Sequence, residues 1–133
     1  MKDIIVGGNT YQYQDTIKGE KAINLDRKVL GLFMSMDISN EKVNNGKVAG
    51  DYLTVALCRT FSKMNDLDFE NLVVSTLSGV VFVGNDETKS FSLNKENIFN
   101  HFFGKLNNLY ELMIEVWEAA SLSVFTMGKS TGN

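Results

Sequence analysis

The most informative segment of the chain is LNNLYELMIEVWEAA, residues 106–120. Its apolar residues recur every three or four positions, which is the spacing of one face of an α-helix. They are Leu106, Leu109, Tyr110, Met113, Val116, Trp117 and Ala120, while Asn107, Glu111, Glu115 and Glu118 occupy the opposite side. The segment therefore predicts an amphipathic helix whose apolar face packs against the rest of the domain.

Two helices are predicted in the first half of the chain. Residues 20–36 carry apolar side chains at helical spacing, namely Ala22, Leu25, Val29, Leu32, Phe33 and Met36. Residues 47–64 repeat the pattern with Val48, Tyr52, Val55, Ala56, Cys58 and Phe61. Between them, residues 38–46 are polar and rich in turn formers, so we expect the longest surface loop there, and a mobile one.

Two further helices are predicted from their capping residues. Asp68 is expected to cap a helix over residues 69–77, because an aspartate side chain accepts hydrogen bonds from the free N–H groups of a first turn. Asn94 is expected to cap a helix that opens with residues 95–97 and ends or bends at Gly104.

Two β-hairpins are predicted besides the helices. The β-branched residues 4–6 and the alternating run 10–14 flank Gly7-Gly8-Asn9, which tolerates positive φ. Residues 79–84 and 90–93 have the composition of a second strand pair, with turn-forming residues between them.

Together these elements predict an α+β fold, a mainly helical small domain with an N-terminal β-hairpin and a second short hairpin near residues 80–93. The length of 133 residues fits one ordinary domain. We assign residues 1–122 to a single α+β domain. Residues 123–133 lose the periodicity and are expected to form a flexible C-terminal tail.

Composition narrows the partners and the compartment. The formal net charge is −3, and the 13 Lys and Arg residues are scattered, so neither nucleic acid nor an anionic membrane is an expected partner. The single cysteine, Cys58, lies in an apolar run and indicates a reducing compartment. The apolar stretch in the first residues is too short for a signal peptide, and no apolar run in the chain is long enough to span a membrane. We therefore expect a cytoplasmic protein.

The sequence offers little equipment for catalysis. His101 is the only histidine, and a structural or surface role is favoured over a ligand or catalytic role because its neighbours supply no partner for acid–base or metal chemistry. Glu111, Glu115 and Glu118 could form a cation site, but such a row usually marks the solvated side of a helix. Gly128-Lys129-Ser130 lacks the rest of a phosphate-binding loop. We therefore predict a non-enzymatic protein with no catalytic, cofactor-binding or metal site.

Apolar surface is the remaining source of function. The aromatic and other large apolar side chains in residues 102–117 are more numerous than one face of a small domain usually buries, so some of them could bind a partner protein. The candidate partner-binding residues are Phe102, Phe103, Tyr110 and Trp117. The alternative is that most of them form the core, because small domains need their aromatic side chains inside.

Two segments of the chain resemble a known family. One is the entry strand with its turn Gly8-Asn9-Thr10-Tyr11, and the other is IFNHFFGKL, residues 98–106, running into Leu109-Tyr110-Glu111-Leu112. A Gly-x-x-Tyr turn and a late aromatic-His-Phe-x-Gly-(Arg/Lys) segment before the last helix are similar to the tail assembly chaperones of long-tailed bacteriophages and prophages. The resemblance covers most of residues 1–122.

The resemblance implies a function. Members of that family bind the tape measure protein, hide its apolar stripes and help to recruit tail tube subunits, so the implied partners are the tape measure protein and the major tail protein. The implied location is the cytoplasm of the bacterial host cell, and no cofactor is needed. Homo-oligomerisation is left open.

The family also implies two translation products, the longer one made by ribosomal frameshifting. Met127-Gly128-Lys129 permits the nucleotide string G GGA AAG, which has the form of a −1 slippery site, although the same tripeptide also occurs without any such role.

Two other classes of function remain as alternatives. The first is a structural virion component such as a tail completion or connector protein, and the second, ranked last, is an enzyme or small-ligand protein.

Overall fold

The computed structural model describes residues 1–35, 43–44, 47–48, 50–84 and 89–130. Within them the strands are β1 (Lys2–Val6), β2 (Asn9–Tyr13), β3 (Val43–Asn44), β4 (Lys47–Val48), β5 (Val81–Val83) and β6 (Phe91–Ser92). The helices are α1 (Gly19–Ser35), α2 (Gly50–Ser62), α3 (Asp66–Leu77), α4 (Ile98–His101), α5 (Leu106–Ala119) and α6 (Ser123–Ser130). The predicted α+β class, mainly helical with two hairpins near the expected positions, is confirmed.

The main sheet has four antiparallel strands in the order β1-β2-β5-β6. The first hairpin turns at Gly7 and Gly8, whose φ angles of 58° and 81° lie in the region that glycine adopts at low cost. One row of paired residues crosses the whole sheet on its buried side, from Ile4 through Tyr11 and Phe82 to Phe91. The turn predicted between β5 and β6 lies outside the described residues.

Helix α5 is the centre of the helical layer, as its long apolar stripe predicts. It packs against α2, α3 and β1, so its buried residues join the helical layer to the sheet. The indole Nε1 of Trp117 donates a hydrogen bond of 2.9 Å to Thr76 Oγ1 on α3. The predicted helix over residues 106–120 is therefore confirmed, and it organises the fold.

Helix α3 begins three residues earlier than predicted, at Asp66 rather than at residue 69. Asn65, not Asp68, occupies the N-cap, because its Oδ1 accepts a hydrogen bond of 2.8 Å from the backbone N–H of Asp68. Asn65 Nδ2 in turn donates to Asp68 Oδ2 at 3.0 Å. The two side chains form a reciprocal cap in which Asp68 is the third helical residue, so the prediction was wrong about which of two competent caps is used.

Helix α4 is shorter than predicted. Asn94 was predicted as its N-cap, but that position is occupied by Asn97. Asn94 instead caps the turn before the helix, since its Oδ1 accepts from the backbone N–H groups of Glu96 and Asn97 at 2.9 and 3.1 Å. The residues that follow form a turn, and regular helix begins only at Ile98. The predicted interruption at Gly104 is present, with φ at 75°, and it separates α4 from α5.

The segment predicted to be a flexible C-terminal tail contains a helix. Residues Ser123–Ser130 form α6, and residues 131–133 lie outside the described part of the chain. The backbone N–H and the Oγ of Ser123 donate to the Asp26 carboxylate of α1 at 2.9 and 2.7 Å. This cap comes from a residue 97 positions away, so local periodicity could not reveal the helix. The predicted mobile loop over 38–46 lies mostly outside the described residues, except for β3.

Candidate protein-binding surface

The four predicted partner-binding residues divide between the core and the surface. Phe102, Tyr110 and Trp117 are 4%, 6% and 0% exposed, so they hold the core together and present nothing to a partner. Phe103, by contrast, is 86% exposed. The interpretation of the first three as a surface is corrected. Helices α2 and α3 pack against α5 and cover the face that carries Tyr110 and Trp117, while Phe102, which follows α4, is buried against Tyr11 of β2.

Phe102 and Phe103 are neighbours in the chain but point to opposite environments. The ring of Phe102 stacks on Tyr11 at a centroid distance of 6.1 Å, which anchors the turn to the sheet. The next residue, Phe103, then faces solvent before Gly104 reverses the backbone with its positive φ. The local geometry of the turn therefore exposes one phenylalanine because it buries the other.

Leu106 extends this exposed apolar area onto α5. It lies on the same helical stripe as the buried residues Leu109, Tyr110 and Met113, yet as the first residue of α5 it is 52% exposed. Phe99, on α4, is 36% exposed. We call these three residues, Phe99, Phe103 and Leu106, the α4–α5 corner. Large apolar side chains grouped in one short segment and left uncovered are typical of a protein-binding surface.

His101 fixes the corner to the sheet. Its Nε2 shares a hydrogen bond of 2.7 Å with the hydroxyl of Tyr11. The rings of Phe82, Phe91 and Phe102 surround the imidazole at centroid distances of 4.8, 5.5 and 4.7 Å. This packing gives His101 a structural role, in line with the interpretation favoured from the sequence.

The electrostatics of the Tyr11–His101 pair follow from its burial. Burial lowers the pKa of His101, and the neighbouring positive charge of Lys105 lowers it further. Burial also raises the pKa of Tyr11, while a side-chain hydrogen bond with Asn9 lowers it to a smaller extent. Both groups are therefore held in their neutral forms at neutral pH, as a hydrogen-bonded clamp between the sheet and α4.

The predicted acidic row lies along the outer side of α5. Glu111 and Glu118 are exposed, and Glu115 is half-buried. Burial raises the pKa of Glu115, and the negative charges of Glu118 and Glu111 raise it further, against the opposing effect of Lys2. No group of three or more His, Cys, Asp or Glu residues able to hold a metal ion occurs among the residues that the structure describes.

The surface between α1 and α3 carries two adjoining depressions that meet at Lys28. Their lining is a mixture of helix-surface residues such as Asn24, Asp68 and Asn71, with Leu72 below them. Glu20, Lys21 and Lys28 line the first depression, Lys28 and Asp68 line the second, and neither lining includes a histidine. Among the described helices, none is long and apolar enough to cross a membrane.

Comparison with known proteins gives one match. A family model described as phage tail assembly chaperone protein matches residues 7–130. The matched range contains the α4–α5 corner, the Tyr11–His101 clamp and all six described helices. No curated protein and no solved structure matches the chain significantly.

Proposed function

The chain belongs to the phage tail assembly chaperone protein family, and on that premise we propose that it binds the phage tape measure protein and helps to recruit tail tube subunits to it. In this proposal the protein acts without catalysis, in the cytoplasm of the bacterial host cell. The family match supports the class of function, and the single structural observation that supports the binding mode is the exposed Phe103 of the α4–α5 corner.

The α4–α5 corner has the properties of an anchor for an apolar stripe on a helical client. Exposed aromatic side chains that become buried in an interface contribute a large share of binding energy. Phe103 and Leu106 would insert between the turns of the client helix, in the manner of helix-in-groove recognition. Phe102 supports them from inside the domain rather than by contact with the client.

The acidic row on α5 supports an electrostatic contribution. Glu111 and Glu118 are exposed on the helix that begins at the corner, so they would steer basic segments of the client towards it. Charges at the rim of an interface mainly affect the rate of association, and their effect weakens with added salt. The apolar anchor, rather than the acidic row, therefore carries most of the proposed affinity.

We further propose that a longer product made by frameshifting contacts the major tail protein, while the domain common to both products coats the tape measure protein. The sequence Met127-Gly128-Lys129 lies at the end of the family match, where an extension would begin. The nucleotide sequence of codons 127–129 tests this directly. A heptamer without slippery form, or no open −1 frame beyond it, would refute the longer product.

The test of client binding uses co-expression with the tape measure protein of the same phage. The wild-type chain is expected to keep the tape measure protein soluble and to co-purify with it. The double variant Phe103→Ser/Leu106→Ser should lose at least tenfold in affinity, which corresponds to about 1.4 kcal/mol. Because both side chains are exposed, the variant should keep the wild-type midpoint of urea unfolding.

A matched control replaces an exposed apolar residue elsewhere. Ile23 on α1 is 71% exposed, and α1 packs beside the C-terminal end of α5 through Phe33 and Trp117, away from the corner. Ile23→Ser should bind as the wild type does. Equal losses in both variants would refute the corner as the site.

Mass spectrometry of purified virions separates a chaperone, which should be missing, from a structural virion component, which should be present in stoichiometric amounts.

A further inference from the structure

Helix α6 depends on its docking to α1. It has eight residues, and isolated helices shorter than about 12 residues are marginal in water. Its first turn is capped by Asp26 of α1 through both the backbone N–H and the Oγ of Ser123. The ring of Phe125 packs edge-on against Phe33 of α1 at a centroid distance of 5.9 Å. These contacts supply the stability that an eight-residue helix lacks on its own.

The connection from α5 to α6 contains a strained residue. Ser121 has φ at 57°, a left-handed conformation that costs free energy for any residue other than glycine. The following N–H, of Leu122, donates to the carbonyl of Trp117 at 3.1 Å, which completes a helix-terminating motif and turns α6 back onto α1. The reversal that lets α6 reach its own Asp26 therefore depends on one unfavourable backbone angle.

The sequence across this hinge also fits a continuous helix. The apolar stripe of α5 passes through Met113 and Trp117 and continues at helical spacing to Ala120 and Val124. If Ser121 adopted helical angles, α5 and α6 would join into one helix over residues 106–130. The α6 half would then project away from its own domain and could not reach its own Asp26.

We propose that α6 exchanges between two copies of this chain. In the exchanged dimer, α5 and α6 of each copy form one continuous helix, and each α6 docks on α1 of the other copy. Ser123 of one copy then donates to Asp26 of the other, and Phe125 packs on the other copy's Phe33. Every contact between α6 and α1 is made in both forms. The equilibrium is therefore set by concentration and by the hinge, which includes the buried side chain of Leu122.

The size of the effect can be bounded. Within one chain, the short connection gives α6 an effective concentration in the millimolar range at its own docking site. With no other contribution, the exchanged dimer would therefore need a protein concentration in that range. Release of one left-handed residue favours the open hinge by about tenfold, and the dimer opens two hinges, so its midpoint falls by about a hundredfold. The exchanged dimer should therefore become substantial at roughly 10 µM.

Two substitutions at the hinge test the proposal without touching α6 or its docking site. The side chain of Ser121 is exposed, so both variants should fold. Ser121→Gly removes the left-handed cost at both hinges and should raise the dimer midpoint, measured by light scattering after size exclusion, by about a hundredfold. Ser121→Ala keeps that cost and favours the continuous helix, so it should lower the midpoint. A midpoint that is the same in both variants would overturn the proposal.

A mixing experiment tests the exchange itself. Asp26→Lys destroys the docking site but leaves α6 intact, and Phe125→Asp impairs α6 but leaves the docking site intact. In neither variant does one chain carry both an intact α6 and an intact docking site, which together we call a complete pair. Exchange predicts that each is monomeric alone and that an equimolar mixture forms a heterodimer through one complete pair. Dimers of either variant alone, or a mixture that stays monomeric at 100-fold above the wild-type midpoint, would contradict the exchange, whatever the client-binding assay gives.

Discussion

Trp117 Nε1 donates a hydrogen bond of 2.9 Å to Oγ1 of Thr76, and both side chains are completely buried. Thr76 is the only polar residue, aromatic residues apart, that is buried in the described part of the chain. Its hydroxyl oxygen accepts a hydrogen bond from the indole N–H, which is the single polar group of Trp117, the largest side chain in the core. The bond therefore fixes the position of α3 along α5 in a core that is otherwise held by non-directional apolar contacts.

Thr76→Val should lower the free energy of unfolding by about 1–3 kcal/mol, because valine fills the same volume but leaves the buried indole N–H without an acceptor. Urea unfolding followed by the fluorescence of Trp117 measures this change. Thr76→Ser keeps the acceptor and removes only a methyl group, so it should lose only about 0.8 kcal/mol. A valine variant as stable as the wild type would show that the hydrogen bond contributes no net stability.

His101 should make stability depend on pH. Its pKa in the folded chain is lowered by burial and by Lys105, so the unfolded chain binds the proton more readily. The contribution of His101 to stability is therefore fully present above the unfolded value of about 6.5 and is lost as pH falls through the lowered folded pKa. We expect the free energy of unfolding to decrease between pH 7 and pH 5.

His101→Gln tests this dependence. Glutamine can still pair with the hydroxyl of Tyr11 but does not titrate, so the variant should have a flatter profile of stability against pH than the wild type. The comparison uses the difference between the two profiles, because the carboxylates titrate equally in both. Parallel profiles would contradict a proton uptake by His101 on unfolding.

Glu115 should act in the opposite direction. Its folded pKa is raised by burial and by Glu118 and Glu111, so ionisation of Glu115 costs the folded state stability. Glu115→Gln should therefore be more stable than the wild type at pH 7, and this advantage should vanish below the unfolded carboxyl value of about 4.3. Glu111→Gln, at an exposed position, is the control and should have a smaller effect.

Sequence periodicity predicted the elements whose stabilising partners are local or repetitive. The stripe of α5 and the alternation around Gly7 and Gly8 need no knowledge of distant residues, and both agree with the structure. The start of α3 was harder, because Asn65 and Asp68 are both good caps and the sequence does not rank them. Helix α6 was missed because its cap, Asp26, belongs to another helix.

The residues of the proposed binding surface were predicted only in part, for a different reason. A helical stripe that faces the core and one that faces a partner have the same spacing, so Tyr110 and Trp117 could not be assigned from the sequence. Their burial separates them, since Leu106, the first residue of α5, is exposed, whereas Tyr110 and Trp117 are buried. That signal depends on where the neighbouring helices end, which is a tertiary property.

The hairpin turn and α5 should be coupled through Gly7 and Asn108. A Cβ at Gly7 would lie 2.5 Å from Asn108 Nδ2, whereas a Cβ at Gly8 meets nothing within 4 Å. Both Gly→Ala variants strain a left-handed φ by about 1 kcal/mol, but only Gly7→Ala must also displace Asn108. In a double-mutant cycle, Asn108→Ala should therefore recover part of the cost of Gly7→Ala, by about 0.5–1 kcal/mol. It should leave the cost of Gly8→Ala unchanged, so equal coupling at the two glycines would exclude a specific contact between turn and helix.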